Sequence, residues 1–217
     1  MRKVQRLPEP DSLKNNAGQW TKDLLDEIKS KGAYAKVDRS VKDKYRQEDV
    51  KETLEKMYNQ HCCYCESVIG TNTYGRIEHL KPKSLPEFYH LAFDWENLHW
   101  CCEICNTSYK KARWDFQNPI LDPSKDDIDR FLELNLTTGE YSGIKEDERA
   151  ATTIRHTGIN RDALVKARRR IIIRFLKDFK AHQSSGNEKE FCRDWKILKE
   201  DMDFPSLYDT LIQAVSD

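Results

Sequence analysis

Two stretches in the first sixty residues carry apolar side chains at the spacing of an amphipathic helix. The first predicts a helix over about 18–31 that ends at Lys31-Gly32, and its apolar positions are Trp20, Leu24, Leu25 and Ile28. The second predicts a helix over about 46–59, with the apolar residues Val50, Leu54 and Met57 on one face. Residues 1–13 contain prolines and lack this spacing, so we expect an extended arm there.

The middle of the chain has the pattern of short strands rather than long helices. A strand is expected over about 77–80, because Pro82 and Pro86 prevent a long helix at that point. Residues 131–142 predict a β-hairpin, since apolar and polar residues alternate there; the apolar positions are Leu132, Leu134 and Leu136. The polar run 106–113 has the composition of a short helix.

The last third of the chain predicts helices. Asn160 is the expected N-cap of a helix over about 161–182, whose apolar stripe consists of Leu164, Ile171, Ile172, Phe175 and Phe179. Between 161 and 180 only Asp162 and Asp178 are acidic, whereas the basic residues are Arg161, Lys166, Arg168, Arg169, Arg170, Arg174, Lys177 and Lys180. This basic helix is either a solvated face or a surface that docks nucleic acid or an acidic partner. The N-terminal arm is likewise either a docking peptide or disordered.

Composition and charge limit the classes of function. The 217 residues are 38% hydrophobic and 34% charged, and 37 basic residues balance 37 acidic ones. A protein that binds nucleic acid alone usually carries a basic excess, because neutralising phosphates drives its affinity. Any such contact here therefore needs a local basic patch or a second protein. No stretch is long and apolar enough to span a bilayer, and the first residues lack the apolar region of a secretory signal, so we expect a cytoplasmic protein.

Four cysteines form two short pairs, Cys62-x-x-Cys65 and Cys102-x-x-Cys105. Two thiolates three residues apart can hold one side of a tetrahedral zinc, and a second such pair completes the site. We therefore predict a structural zinc with these four ligands. Zinc binding of this kind contributes on the order of 10–16 kcal/mol, so it would make a region with few apolar residues rigid. The remaining cysteines are expected to be small buried hydrophobes or spare thiols: Cys63, Cys101 and Cys192.

The segment between the two cysteine pairs carries candidate catalytic residues. It is 36 residues long, which exceeds the roughly 15–20 of a plain zinc ribbon. It contains Glu78-His79 followed by Lys81-Pro82, then Glu96-Asn97-Leu98, and the second cysteine pair continues into Asn106. In this order the parts resemble the HNH endonuclease motif, with Asn106 at a position where histidine is common. The resemblance implies a ββα-metal fold, in which a hairpin and a helix hold one divalent ion.

The resemblance also implies a role for each matched residue. His79 would be the general base, because a neutral imidazole can take a proton from water near physiological pH. Glu78 and the side-chain oxygen of Asn106 would hold Mg²⁺ or Mn²⁺, a hard cation that prefers oxygen ligands and stabilises the charge developing on the phosphate. Asn97 would fix the loop and the orientation of His79.

Each of these roles has a simpler alternative. His79 could be a satisfied surface or core histidine, and Glu78 a solvated strand residue. Asn97 could cap a turn, which asparagine often does, and Asn106 could cap the helix that follows it.

The basic residues near the motif also leave two interpretations. Lys110 and Lys111 are either nucleic-acid contacts at phosphate or solvated charges. Three histidines near the cluster receive no ligand role, because four thiolates already fill a tetrahedral site: His61, His90 and His99.

The order of parts along the whole chain resembles one subgroup of HNH proteins. An N-terminal helical arm leads into the cysteine pairs, a segment over 118–123 follows the core, and a helical tail closes the chain. These features resemble the nuclease subunits of the Septu anti-phage systems, some of which accompany retrons. The resemblance implies an ATPase partner of the PtuA type, of the ABC/SMC-like class. It also implies a nucleic-acid substrate, DNA or an RNA such as tRNA, and, in the retron-associated members, a reverse transcriptase with its RNA–DNA product.

These observations predict a mainly α fold with a small ββα-metal (HNH) core stabilised by the four-cysteine zinc site and with helical N- and C-terminal extensions. The expected segments are the N-terminal arm and helices over 1–57, the nuclease core over 58–125, and the hairpin and helical region over 126–217. The predicted function is an endonuclease acting in an anti-phage complex. The alternatives are a non-catalytic, zinc-stabilised module that binds nucleic acid or protein, and thiol redox chemistry, which no thioredoxin-like pattern supports.

Overall fold

The computed structural model describes residues 1–70 and 73–216, so Thr71, Asn72 and Asp217 of the predicted segments lie outside it. The described part is mainly helical. Its α-helices are α1 (Asp11–Lys31), α2 (Arg39–Lys42), α3 (Glu48–Met57), α4 (Glu148–Thr157), α5 (Asp162–Ser184), α6 (Glu188–Leu198) and α7 (Pro205–Ser216). Its strands are β1 (Gly75–His79), β2 (Leu98–Cys102), β3 (Leu132–Leu134) and β4 (Tyr141–Gly143). A π helix, Ile104–Lys110, follows β2.

The strands form two separate antiparallel pairs. In the first pair Gly75 lies opposite Cys102 and His79 opposite Leu98, so the end of β1 meets the start of β2. The second pair, β3 with β4, confirms the hairpin expected over 131–142. The chain therefore folds as a hairpin and a short helix in its middle, with longer helices on either side.

Helix α1 begins earlier than the apolar spacing predicted. It starts at Asp11, and its first turn is capped by a residue from α3: Asp49 accepts hydrogen bonds from the Ser12 backbone N–H at 2.9 Å and from the Ser12 hydroxyl at 2.7 Å. Such a cap satisfies donors that the first turn of a helix leaves free. The predicted end is confirmed, because Gly32 adopts a left-handed conformation with φ of 75°.

The N-terminal arm packs along the core as an ordered segment, so the disordered alternative is wrong, whereas the docking-peptide alternative stays a prediction. The Val4 backbone N–H donates to the Pro123 carbonyl at 2.8 Å. The Arg6 guanidinium donates to the Leu98 carbonyl at 2.6 Å, next to the start of β2. The Trp95 indole donates to the Leu7 carbonyl at 3.0 Å. These contacts attach the arm to the rest of the protein.

Asn160 does not cap α5, so this prediction was wrong. The helix starts at Asp162, and the Asn160 amide instead binds the backbone of Tyr141 on β4 through two hydrogen bonds of 2.8 Å. The basic residues of this helix also do not all lie on its surface, which both interpretations of the sequence assumed. Arg168 is fully buried and donates to the carbonyls of Gly139 at 2.7 Å and Ile159 at 2.9 Å. Helix α5 is thereby anchored on the β3–β4 hairpin.

Buried side chains from all three predicted segments pack into one hydrophobic cluster. Its members include Leu24, Leu54, Phe93, Leu121, Phe175 and Leu211. The division into segments over 1–57, 58–125 and 126–217 stays a prediction. None of the helices within residues 1–70 and 73–216 combines the length and apolarity that a bilayer crossing requires.

Candidate functional site

The β1–β2 hairpin and the π helix surround a pocket of about 230 Å³. Four of the residues singled out from the sequence line it: Glu78, His79, Asn106 and Lys111. Glu78 and His79 end β1, Asn106 lies in the first turn of the π helix, and Lys111 directly follows that helix. The rest of the wall comes from Tyr45, Ile77, Pro82, Lys83, Ser84 and Ala112. The fold thus brings together residues that are 33 positions apart in sequence, from Glu78 to Lys111.

Glu78 is buried, with 3% of its surface exposed, and only one of its oxygens is engaged. The Tyr64 hydroxyl donates to Oε1 at 3.2 Å, and the Lys110 ammonium lies 3.4 Å from the same oxygen. Within the described chain Oε2 accepts no hydrogen bond, so it is available to a group in the pocket. Burial raises the pKa of Glu78 to about 7, although Lys110 and the Tyr64 hydroxyl oppose the rise. A cation in the pocket would favour the charged carboxylate.

The His79 ring is held so that one nitrogen carries a free lone pair. Nε2 lies 2.9 Å from the Ala92 carbonyl, and because a carbonyl only accepts, Nε2 carries the proton and donates it. Nδ1 is then the unprotonated nitrogen and makes no hydrogen bond with the described residues. The Tyr45 ring packs against the imidazole at 4.6 Å between centroids. Burial, aided by the Lys83 ammonium, lowers the pKa of His79 well below its usual value, so the ring is neutral.

Asn97 lies outside the pocket wall and fixes the segment that holds His79. Its Oδ1 accepts from the Lys81 backbone N–H at 2.8 Å, and its Nδ2 donates to the carbonyls of Lys81 at 3.0 Å and Leu91 at 3.1 Å. Leu91 directly precedes Ala92, whose carbonyl accepts the His79 proton. One amide therefore joins the loop after β1 to the segment that orients the imidazole.

The two lysines after the motif occupy different environments. Lys110 is fully buried beside Glu78, so its ammonium is not exposed to a phosphate in the pocket. This burial contradicts both interpretations of the sequence, a phosphate contact and a solvated charge. Lys111 is exposed and lines the pocket. Asn106 lies inside the π helix, since this helix begins at Ile104, and the helix-cap alternative for Asn106 is therefore wrong.

The four paired cysteines form one buried cluster. The sulfurs of Cys62, Cys65, Cys102 and Cys105 all lie within 4.8 Å of one another. In a tetrahedral site with Zn–S bonds of ~2.3 Å the sulfurs are ~3.8 Å apart. The sulfurs of Cys65 and Cys102 are 3.8 Å apart, so the spacing fits such a site. The cluster could hold a metal ion such as zinc, in agreement with the sequence.

Cys63 and Cys101 lie next to the cluster of the four paired cysteines. The sulfurs of Cys62 and Cys101 are 3.7 Å apart, and Cys62, Cys63 and Cys101 form a second close group. Burial raises the pKa of the Cys63 and Cys101 thiols well above the usual value. Hydrogen bonds from Cys101 and Cys105 instead lower the pKa of Cys102 to about 4. The hydrogen bond with Cys101 lowers the pKa of Cys105, but those with the other three paired cysteines outweigh it and raise that pKa as well. Position rather than acidity therefore distinguishes the two spare cysteines, whose sulfurs lie outside the group of four close sulfurs.

Arg161 contacts the cysteine cluster, and no pattern in the sequence predicts this contact. Its guanidinium donates to the Cys105 sulfur at 3.2 Å and lies 3.8 Å from the Cys65 sulfur. Burial opposes a charged guanidinium, but the two sulfurs outweigh it and raise the pKa of Arg161 above its usual range. A cation here offsets the negative charge that four thiolates leave on a zinc ion. In the sequence Arg161 was only one of eight basic residues of the C-terminal helix.

Two nearby histidines are engaged elsewhere, as expected. His61 contacts the carbonyls of Asn59 at 2.6 Å and Met202 at 2.9 Å through its two ring nitrogens. His99 contacts the Tyr58 hydroxyl at 2.6 Å and the Arg6 guanidinium at 3.1 Å. Neither ring has a nitrogen free for a metal, and His90 is exposed on the segment before β2.

Comparison with known proteins identifies the family. No protein-family model matches the chain. The Septu protein PtuB of Bacillus mycoides (strain KBAB4) is 30% identical over 200 residues, which cover 79% of this chain and 67% of that protein. The match extends well beyond the cysteine pairs and the pocket, so it reflects the whole chain rather than a shared zinc motif. This chain belongs to the PtuB family of Septu proteins.

Proposed function

We propose that this chain is a metal-dependent HNH endonuclease that hydrolyses phosphodiester bonds in nucleic acid. One observation carries the proposal: Glu78, His79 and Asn106 line a single pocket where a β-hairpin meets a short helix. Their order in the sequence and this hairpin–helix arrangement resemble the ββα-metal core of HNH nucleases. The nuclease unit on this proposal is the segment 58–125.

His79 performs the proton transfer. The lone pair on Nδ1 takes a proton from a water molecule as the water oxygen forms a bond to phosphorus. The bond between phosphorus and the leaving sugar oxygen breaks, and that oxygen receives a proton from solvent. The hydrogen bond from Nε2 to the Ala92 carbonyl keeps the ring in this tautomer and stabilises the imidazolium that forms.

The donor set of the pocket fits a hard divalent cation. Oε2 of Glu78 and the amide oxygen of Asn106 are oxygen ligands of the kind that Mg²⁺ and Mn²⁺ prefer, and both residues line the cavity. A cation held there would supply positive charge for the phosphate oxygens and the leaving oxygen. Lys111, on the same wall, adds a fixed positive charge toward the substrate phosphate.

Two further groups keep the pocket in shape. Asn97 acts as a positioning residue, because its three hydrogen bonds hold the loop after β1 and the segment before the Ala92 carbonyl. The four-cysteine cluster joins the segment before β1 to the end of β2 and the π helix. A zinc ion there is structural, because four sulfurs leave no open position for substrate.

Family membership supports a biological role. We propose that the chain is the nuclease effector of an anti-phage defence system and assembles with an ATPase of the PtuA type. Its zero net charge supports this, because a nuclease with little basic excess needs help to bind nucleic acid. In a retron-associated system a reverse transcriptase with its RNA–DNA product would join the same complex.

The test compares His79→Ala with His90→Ala in nicking of plasmid DNA and cleavage of tRNA, with Mg²⁺ and with the partner ATPase present. His90 is the matched control, since it is an exposed histidine outside the pocket. We expect loss of cleavage by about 10²- to 10⁴-fold in His79→Ala, the usual contribution of a general base, and unchanged cleavage in His90→Ala. Equal cleavage by both variants would refute the assigned mechanism. Nucleic-acid binding without cleavage by the wild-type protein would instead favour the binding-module alternative.

A further inference from the structure

The catalytic pocket continues into a groove along β1. A second pocket of about 150 Å³ shares Tyr45 and Ile77 with the first. A third pocket of about 390 Å³ shares Gly75 and Trp100 with the second. We call the two outer pockets the β1 groove, and the residues used below are Arg46, Lys51, Tyr74, Gly75, Arg76 and Trp100.

More cations than carboxylates line the β1 groove. Arg46, Lys51 and Arg76 line it, and about half of each side chain is exposed. Their nearest carboxylates are Asp43 at 3.7 Å, Glu48 at 3.5 Å and Glu103 at 3.0 Å, and Glu55 lines the third pocket. Exposed ion pairs of this kind contribute little, so they leave the three cations able to contact phosphates.

A buried donor without an acceptor lies at the centre of the groove. Trp100 lines both outer pockets, and its indole Nε1 is buried with no hydrogen-bond partner in the described chain. The indole lies directly against Gly75, where a Cβ would come within 1.8 Å of the ring. Only glycine therefore allows the ring to sit between the two pockets.

The far end of the groove carries an exposed aromatic ring on a fixed backbone. Tyr74 is 79% exposed and lines the third pocket. Its carbonyl accepts a hydrogen bond from the Glu103 backbone N–H at 3.0 Å, which attaches this residue to the chain just after β2. A large aromatic side chain gains nothing in stability from such exposure. Aromatic rings beside a positively charged groove are the platforms on which unpaired bases stack.

We propose that the β1 groove binds an unpaired nucleic-acid strand next to the scissile phosphate, with the strand phosphates on Arg46, Lys51 and Arg76 and one base stacked on Tyr74. The assignment of the scissile end rests on the proposed function, whereas the groove itself rests on the contacts above. From Glu78 to Tyr74 is four residues of extended chain, or about 13 Å. At a rise of ~3.4 Å per nucleotide, the stacked base lies no more than about four nucleotides from the cut.

Binding is measured separately from cleavage. The His79→Ala chain is titrated, without Mg²⁺, into fluorescein-labelled single-stranded DNA, single-stranded RNA and duplex DNA, and fluorescence anisotropy is recorded. We expect Tyr74→Ala to weaken single-strand binding by roughly 5- to 150-fold, the effect of one lost stacking contact, and Tyr74→Phe to retain it. Duplex binding should change less. The two single-stranded probes decide whether DNA or RNA is the preferred strand.

The salt dependence tests the phosphate contacts. Substituting Arg46, Lys51 or Arg76 by Gln should each lower the slope of log affinity against log salt by about 0.7 for a single strand. Lys189→Gln and Arg193→Gln are the controls, since both are exposed cations on α6, which packs on α5 and α7. Thermal unfolding of each variant shows whether it is folded.

The outcomes separate the two proposals. The groove proposal would be wrong in any of three cases: the chain without groove substitutions does not bind a single strand, Tyr74→Ala does not weaken binding, or the α6 controls weaken binding as much as the groove variants do. If binding depends on Tyr74 but His79→Ala cleaves as well as the wild type, the groove stands and the catalytic assignment is wrong. If cleavage depends on His79 but binding does not depend on the groove residues, the nuclease proposal is supported and the groove proposal is wrong.

Discussion

Two neighbouring cysteines of the same burial allow a matched test of the zinc ligand set. Cys105 belongs to the cluster of four close sulfurs, whereas Cys101 lies beside it and donates a thiol hydrogen bond. Both residues have no exposed surface. Cys105→Ala and Cys101→Ala therefore each remove one sulfur atom from equally buried positions, and the main expected difference between them is the bond to the metal.

The expected difference in the free energy of unfolding is large. A structural zinc contributes on the order of 10–16 kcal/mol, as much as the roughly 5–15 kcal/mol that stabilises a whole domain. Cys105→Ala also removes the sulfur that accepts from Arg161 at 3.2 Å, and the loss of a hydrogen bond to a charged group costs about 1.5–3 kcal/mol more. Cys101→Ala leaves a small cavity, which costs about 1 kcal/mol.

Zinc content and urea unfolding measure the two effects. Zinc released from the denatured chain is quantified with a colorimetric chelator, and unfolding is followed by circular dichroism. We expect close to one zinc per chain in the wild type and Cys101→Ala, and loss of both zinc and the cooperative transition in Cys105→Ala. A full complement of zinc in Cys105→Ala, or its complete loss in Cys101→Ala, would refute the assigned ligand set.

Three further substitutions test buried polar contacts by urea unfolding. Lys110→Met removes the buried partner of Glu78 and should lower the free energy of unfolding by about 3–5 kcal/mol. Adding Glu78→Gln should restore most of this loss, whereas additive losses would contradict the pairing. Asn97→Ala removes three hydrogen bonds to the backbone and should cost about 3 kcal/mol, with cleavage reduced more than thermal stability explains. Arg168→Ala should lower the free energy of unfolding by about 3–5 kcal/mol, and substitution of the exposed Arg170 by Ala should lower it by less than about 0.5 kcal/mol. Similar losses for both variants would mean that Arg168 lies on the surface.

The features that could be predicted from the sequence depend on local patterns. The spacing within each cysteine pair is set by the geometry of one metal ion, so Cys62 and Cys65 could be recognised without knowing the fold. The hairpin over 131–142 follows from alternation over a few residues, and Gly32 ends α1 because a left-handed position favours glycine. These features need no information from distant parts of the chain.

The features that were missed depend on contacts between distant residues. Asp49 extends α1 by capping Ser12, which is 37 positions away, and no pattern around residue 11 contains that information. Lys110 and Arg168 were counted as candidate surface cations, yet both are buried. Their partners are a carboxylate on β1 and carbonyls near the β3–β4 hairpin, so their burial follows only from the tertiary fold. A charged residue alone carries no sign of such a partner.

The positions of the cations explain how a neutral chain can bind nucleic acid and why it would do so weakly alone. Three of the cations contact groups of the protein itself: Lys110 contacts a carboxylate, Arg161 contacts sulfurs and Arg168 contacts carbonyls. These cations therefore add nothing to the charge available for phosphate at the surface. If the β1 groove supplies about three phosphate contacts, the salt slope for a single strand is about −2, well below that of strongly basic DNA-binding proteins. A fourfold rise in salt then weakens binding only about 20-fold, because little of the affinity is electrostatic. We infer that a partner supplies the remaining contacts. The complex with the ATPase should therefore show a steeper salt slope than the chain alone, and equal slopes would mean that the partner does not touch the strand.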